Sequence, residues 1–203
     1  TEVLPISMMN SAQWFSDVSG SNPLRACGLA LPFSEVEIWD EENNVLPANE
    51  VGEIVARSDG MMTEFWNNPE ATAQRMVNGW IKTGDLGKID GNGYLYVVDR
   101  ADDMIISGGE NIYPAEIENA LMKLDGVSDA AVIGVPDDRW GETVKAIITR
   151  VDEGLSEEDV ISHCRKNLAH YKCPSSVEWM QEIPRNPSGK ILKTELRKPY
   201  WQG

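Results

Sequence analysis

ADDMIISGGENIYPAEIENALMKL, residues 101–124, is where the texture of the chain changes. It opens on a short apolar strand and passes through the glycine pair Gly108–Gly109. It then turns into a helix begun by Pro114, whose fixed φ suits a first helical position. Ile117, Ala120, Leu121 and Leu124 recur at the spacing of one helix face. Downstream, VSDAAVIGV (127–135) and TVKAIITRV (143–151) read as strands separated by the polar turn PDDRWGE (136–142). SEEDVISHCRKNL (156–168) starts as a capped helix, with Ser156 ahead of three acidic residues in the first turn. The order is βαββαβ-like and predicts a small α+β domain over residues 104–203, a central sheet with flanking helices.

Upstream the pattern is β-rich. EVEIWD (35–40) and VGEIVAR (51–57) alternate on either side of the polar EENNVLPANE (41–50). PEATAQRMVN (69–78) reads as a short helix stopped by Gly79. KIDGNGYLYVVDR (88–100) is a hairpin signal, with Asp90-Gly91-Asn92-Gly93 between two apolar strands. That turn is not a calcium loop, because the twelfth position, 101, is Ala where a bidentate glutamate is required. The fold class expected is α+β: a β-rich, partial-barrel subdomain over 1–100, a boundary at 101–103, and the small domain after it.

The 203 residues carry 18 Lys+Arg against 33 Asp+Glu, a formal net charge of -15. Such a surface repels nucleic acid, so none is expected as a partner. The exception is residues 160–203, where eight basic residues face three acidic ones; a confined basic segment suits a compact phosphate ester better than a long polyanion. No apolar run reaches bilayer-spanning length, and TEVLPISMMNSAQWF lacks the basic flank and small-residue cleavage site of a signal peptide. Cys27, Cys164 and Cys173 form no CxxC pair and no disulfide framework, so a reducing cytoplasm is the expected location.

Several chemistries are excluded by spacing. IPRNPSGKILK (183–193) is not a phosphate-cradling P-loop, which needs glycine at 184 and Ser or Thr at 191, where the chain has Pro184 and Ile191. His163 and His170 are not an HExxH pair, and no GxSxG nucleophile elbow occurs. What remains is Lys190, a point charge presented behind Gly189 in a loop stiffened by Pro184 and Pro187. Taken singly, a loop lysine, the Gly-Gly pair of SGGEN (107–111) and a turn aspartate such as Asp85 in GWIKTGD (79–85) are ordinary surface features.

Together they are more specific. The ordered set GEIVARSDGMMTEFWNNPEAT, GWIKTGDLGKIDGNGYLYVVDR, DDMIISGGENIYPAEIE and IPRNPSGKILK resembles the AMP-forming acyl-CoA synthetases of the adenylate-forming enzymes. The resemblance runs from Thr1 to about Arg197 and covers only the last part of such an enzyme. It implies ATP, Mg²⁺ and coenzyme A as cofactors or substrates and a small-molecule carboxylic acid as the acyl donor. It implies Lys190 as the catalytic lysine, Asp85 at the ribose hydroxyls, and Arg100 at the ribose or phosphate. Thr1 would lie at a nucleotide phosphate, and Glu2 at the metal. Asp102 would be the hinge of a mobile C-terminal domain, with Ser107, Gly108, Gly109 and Glu110 along the path of the CoA pantetheine. Arg165, Lys166 and Lys172 are weaker candidates for the CoA phosphates.

One departure is Glu64, where the family commonly has glycine; a surface effect without loss of chemistry is expected. The family's phosphate loop and acyl pocket lie upstream of Thr1. The chain alone is therefore expected to be inactive, and fatty, aromatic and small dicarboxylic acids all stay open as substrates. Two alternatives stand beside the ligase reading: an adenylation domain that loads a carrier protein, and a non-catalytic module that holds nucleotide or CoA.

Overall fold

The computed structural model describes residues 2–201. The chain divides into two compact units, Thr1–Asp102 and Asp103–Gly203.

The first unit is built on an open, antiparallel seven-stranded sheet. Its strands are β1 (Ser7–Met8), β2 (Gly28–Ala30), β3 (Ser34–Trp39), β4 (Gly52–Ser58), β5 (Met76–Val77), β6 (Trp80–Ile89) and β7 (Tyr94–Arg100). They run in the order β1-β2-β7-β6-β4-β3, with β5 added to β6. Two short helices accompany them, α1 (Ser11–Trp14) and α2 (Pro69–Arg75). The alternating stretches read as strands at 35–57 are β3 and β4, which bury Ile38, Ile54 and Val55.

The helix read over 69–78 ends earlier, at Arg75. Asn78 and Gly79 both take positive φ, 52° and 81°, the pair of values a two-residue hairpin turn needs, so Met76–Val77 pairs with Trp80–Ile81 instead of extending the helix. The 88–100 hairpin forms as read. Its turn is organised by Asp90, whose Oδ1 accepts the Asn92 and Tyr94 N–H groups at 2.9 and 3.0 Å while Oδ2 accepts the Tyr96 hydroxyl at 2.8 Å.

The second unit contains β8 (Ile105–Ser107), β9 (Glu110–Ile112), α3 (Pro114–Leu121), β10 (Val127–Asp137), β11 (Gly141–Arg150), α4 (Glu157–Asn167), β12 (Ser176–Trp179) and α5 (Lys193–Arg197). The predicted single strand before the glycine pair is a hairpin, because the turn lets Glu110–Ile112 fold back on Ile105–Ser107. The sheet order is β10-β11-β8-β9, with β12 parallel to β11.

The long β10–β11 ladder is buried on both faces, which explains its nearly unbroken apolar runs. Ala130 and Val132 point into one cluster with Ile117 and Leu121 of α3 and Val160 of α4. Ala131, Ile133 and Val135 point into the other with Ile183 and Leu196. The α4 start follows the sequence expectation: the Ser156 side chain and Asp159 form a reciprocal capping box. No helix among the described residues is long and apolar enough to cross a membrane.

Candidate functional site

In the first unit, Asp85 lies in β6 on a bulge set by a register change against β4. Glu53 pairs with Leu86 and Val55 with Lys82, so β6 advances four residues while β4 advances two, and residues 83–85 bulge. The Thr83 hydroxyl pins the bulge by donating to the Ile54 carbonyl at 2.8 Å and accepting the Asp85 N–H at 3.1 Å. On its other side, Asp85 stands opposite Arg100 in the β6–β7 ladder. Arg100 Nε lies 3.2 Å from Asp85 Oδ1, and the two side chains keep 48% and 35% of their exposure. The pair thus presents a carboxylate and a guanidinium to solvent side by side. Asp102 is exposed in the 3₁₀ turn Ala101–Asp103, directly before the division between the units. Glu2 is half-buried at the other end of the unit's sequence, and Thr1 lies outside the described residues.

In the second unit the sequence-predicted residues fall on two separate loops. Ser107, Gly108, Gly109 and Glu110 form the tip of the β8–β9 hairpin, with Gly108 and Gly109 at φ 60° and 87°. A Cβ on Gly108 would meet the Trp140 ring at 2.8 Å, whereas one on Gly109 would meet nothing within 4 Å. Gly108 N–H donates to the Trp140 carbonyl at 2.9 Å, and Ser107 pairs with Gly141 at the start of β11. Trp140 is 47% exposed, with the Arg139 guanidinium 4.4 Å from its ring centre. Sequence reasoning treated 136–142 as a plain polar turn. A tryptophan at the tip of a polar hairpin was the available signal that this aromatic has a surface task.

Lys190 lies on the other loop. Arg185 and Ile191 form an isolated bridge that closes the turn, and Asn186 Oδ1 accepts from Ser188 N–H, Ser188 Oγ and Lys190 N–H at 3.0, 2.7 and 2.9 Å. The Lys190 side chain is exposed and has no hydrogen-bond or ion-pair partner among the described residues. The loop is tied by Arg185 to Asp129, near the start of β10, whereas the glycine hairpin docks where β10 turns into β11. Eight residues of extended strand separate Asp129 from Asp137, about 27 Å. The two loops therefore sit at opposite ends of one buried, rigid ladder.

The weaker candidates divide. Arg165 and Lys166 are exposed on the last turn of α4. Lys172 is not a free cation: its ammonium is 2.6 Å from Glu116 Oε2 and keeps only 18% of its side-chain exposure. Cys164 is fully buried, and that burial, with the neighbouring Cys173 as a lesser electrostatic cause, pushes its thiol up to about 11, so Cys164 is no thiolate nucleophile at neutral pH.

Residues 116–190 match the family described as the AMP-binding enzyme C-terminal domain. The chain is 48% identical over 175 residues to a long-chain-fatty-acid–CoA ligase, FadD13, of Mycobacterium tuberculosis, covering 86% of this chain and 35% of that one. It is 42% identical over 185 residues to a fatty acid–[acyl-carrier-protein] ligase, ScoC, of Streptomyces coeruleorubidus, covering 91% and 36%. Among solved structures, ATP-bound MatB from Rhodopseudomonas palustris superposes with a TM-score of 0.81 at 37% identity, covering 88% of this chain and 36% of that one. The chain spans about a third of the length of the relatives it matches.

Proposed function

The chain belongs to the acyl-CoA ligases of the adenylate-forming enzymes, as a segment carrying their AMP-binding C-terminal domain, and from that premise we propose that its parent joins a carboxylic acid to coenzyme A in two steps. In the first, the acid's carboxylate oxygen attacks the α-phosphorus of ATP; the bond to pyrophosphate breaks and an acyl adenylate forms. In the second, the CoA thiol, giving up its proton, attacks the acyl carbonyl, and AMP leaves with the carboxylate oxygen.

The observation that carries this reading is the separation of the two loops along the β10–β11 ladder. A rigid sheet cannot bring both ends to one bound adenylate together, so use of both loops at a single site requires the unit to turn between steps. Lys190 serves the first step. Its unpaired ammonium offsets the repulsion between carboxylate and phosphate, and then withdraws. The glycine hairpin serves the second, with Trp140 as an apolar wall beside a turn that lacks side chains and admits a narrow thiol-bearing chain.

Asp85 accepts from the ribose hydroxyls, with Arg100 holding its carboxylate and facing the phosphate side. Asp102 is the pivot. A single protein carboxylate, here that of Glu2, fits magnesium, which takes one or two such groups and completes its shell with phosphate oxygens and water. Among the described residues there is no group of three or more His, Cys, Asp or Glu that could hold a metal without the nucleotide. When bound, the ion supplies charge neutralisation at the phosphates. A cytoplasmic location belongs to the same proposal, in keeping with three free thiols.

The test is Lys190→Ala in the full-length parent. Pyrophosphate exchange should fall by about 10²–10³-fold, the effect of losing one charge-stabilising donor, while thioester formation from supplied acyl adenylate should stay near wild type. Equal loss in both half-reactions refutes the assignment. A carrier-protein acceptor is the second reading, favoured by the likeness to ScoC. Acyl transfer to a phosphopantetheinylated carrier and not to free CoA would select it.

A further inference from the structure

The peptide unit joining Gly189 to Lys190 is held from both sides. Its N–H, from Lys190, donates to Asn186 Oδ1 at 2.9 Å. Its carbonyl, from Gly189, accepts from Arg185 Nη1 at 2.7 Å. The orientation of that peptide sets the direction in which the Lys190 side chain leaves the backbone. Packing offers no substitute restraint, since Gly189 sits at φ 86° with no atom within 4 Å of where a Cβ would stand.

Arg185 is itself fixed from outside the loop. Its Nη2 reaches both oxygens of Asp129, at 2.9 and 2.7 Å, so one planar guanidinium bridges the crown of the loop and the start of β10. Below the crown, Ile183 is buried, and Ile191 packs against the same core cluster. The base of the loop is thus anchored by apolar burial; at its tip Asn186 hydrogen-bonds within the loop, and Arg185 ties the loop to β10. The pair keeps 41% and 29% side-chain exposure, and ion pairs so exposed contribute little to stability. A device that adds little stability yet spans two structures is explained by what it orients.

We propose that Arg185, held by Asp129, is a positioning residue that aims the Lys190 ammonium for the adenylation step. This rests on the role of Lys190 proposed above. Arg185 acts through the Gly189 carbonyl and does not itself touch the nucleotide. A lysine at 185 cannot replace it, because a single ammonium lacks the planar fork that engages the carbonyl and the carboxylate at once.

The experiment measures both half-reactions in the full-length parent for Arg185→Ala, Arg185→Lys, Asp129→Asn, Lys190→Ala and the Arg185→Ala/Lys190→Ala double variant. Arg185→Ala and Arg185→Lys should each lower the adenylation kcat by roughly 10- to 100-fold, the order expected for an ångström-scale misplacement. The KM for ATP should change by less than about threefold, and thioester formation from supplied acyl adenylate, like the melting temperature, should stay unchanged. Asp129→Asn should fall between these variants and wild type. In the Lys190→Ala background, Arg185→Ala should have no further effect. An added loss in that background means direct contact with substrate and overturns the inference. Parallel loss of both half-reactions with a lowered melting temperature means a merely structural role and also overturns it. Should Lys190→Ala itself fail to separate the half-reactions, the reading of Lys190 falls and this inference with it; if Lys190→Ala separates them and Arg185→Ala does not, only the inference falls.

Discussion

Replacing Lys193 by alanine should destabilise the second unit far more than removal of an ordinary surface lysine. The Lys193 ammonium lies 2.8 Å from Glu118 Oε1 and 4.0 Å from Asp103 Oδ2, with only 10% of its side chain exposed. Glu118 Oε1 also accepts the Val132 N–H of β10 at 2.8 Å, so it cannot swing to water without leaving a strand donor unpaired. Asp103 retains Arg197, at 3.3 Å to its carboxylate and 3.1 Å to its carbonyl, which limits the damage there. Stranding a fully buried charge by removing its partner costs about 3–5 kcal/mol. Because Glu118 and Asp103 keep 19% and 22% exposure, water relieves part of that, and about 2 kcal/mol remains. For a unit of this size that is a fall of roughly 8–16 °C in melting temperature. Urea and thermal unfolding followed by circular dichroism measure it. Lys193→Met combined with Glu118→Gln should recover most of the loss, since the stranded charge is then gone. A loss below about 0.5 kcal/mol, or full additivity in the double variant, refutes the reasoning.

The remaining predictions concern the first unit's acid sensitivity and the glycine hairpin. Burial alone would raise the Asp90 carboxyl, but hydrogen bonds from Ser21, Tyr96 and the Tyr94 and Asn92 amides outweigh it and hold the group below the ordinary carboxylate value. A depressed folded-state value stabilises the fold above the unfolded-state value, about 3.9, and is lost as pH falls through the folded-state one. Asp90→Asn should therefore flatten the fall in stability below about pH 4; an unchanged acid limb in a pH series of urea melts refutes this. Gly109→Ala should cost about 1 kcal/mol, from positive φ alone. Gly108→Ala should cost more and shift the Trp140 indole resonance in an NMR spectrum, because its Cβ collides with that ring. Equal costs with no shift would contradict the contact.

Residues whose partners lie close in sequence, or whose burial repeats with a regular period, were legible in advance. The alternation in β3 and β4, the Ser156 cap and the apolar face of α3 all depend on neighbours a few residues away. The errors arose where a local signal had two uses. Asn78–Gly79 reads as a helix stop but forms a hairpin turn, because Met76–Val77 finds β6 to pair with. Lys172 reads as part of a basic segment but is paired with Glu116, 56 residues away in sequence.

By itself the sequence was enough to place β3, β4, α2, the 88–100 hairpin, β8, α3, β10, β11 and α4 in order, to single out Asp85, Arg100 and Lys190, and to show the likeness to adenylate-forming enzymes. These follow from residue type and spacing, which folding does not alter. Tertiary structure alone decided that Trp140 walls the glycine turn, that Arg185 reaches Asp129 across another 56 residues, and that the two loops stand at opposite ends of one ladder. The physical reason is that strand pairing fixes such distances through contacts between residues far apart in the chain, and no local propensity encodes them.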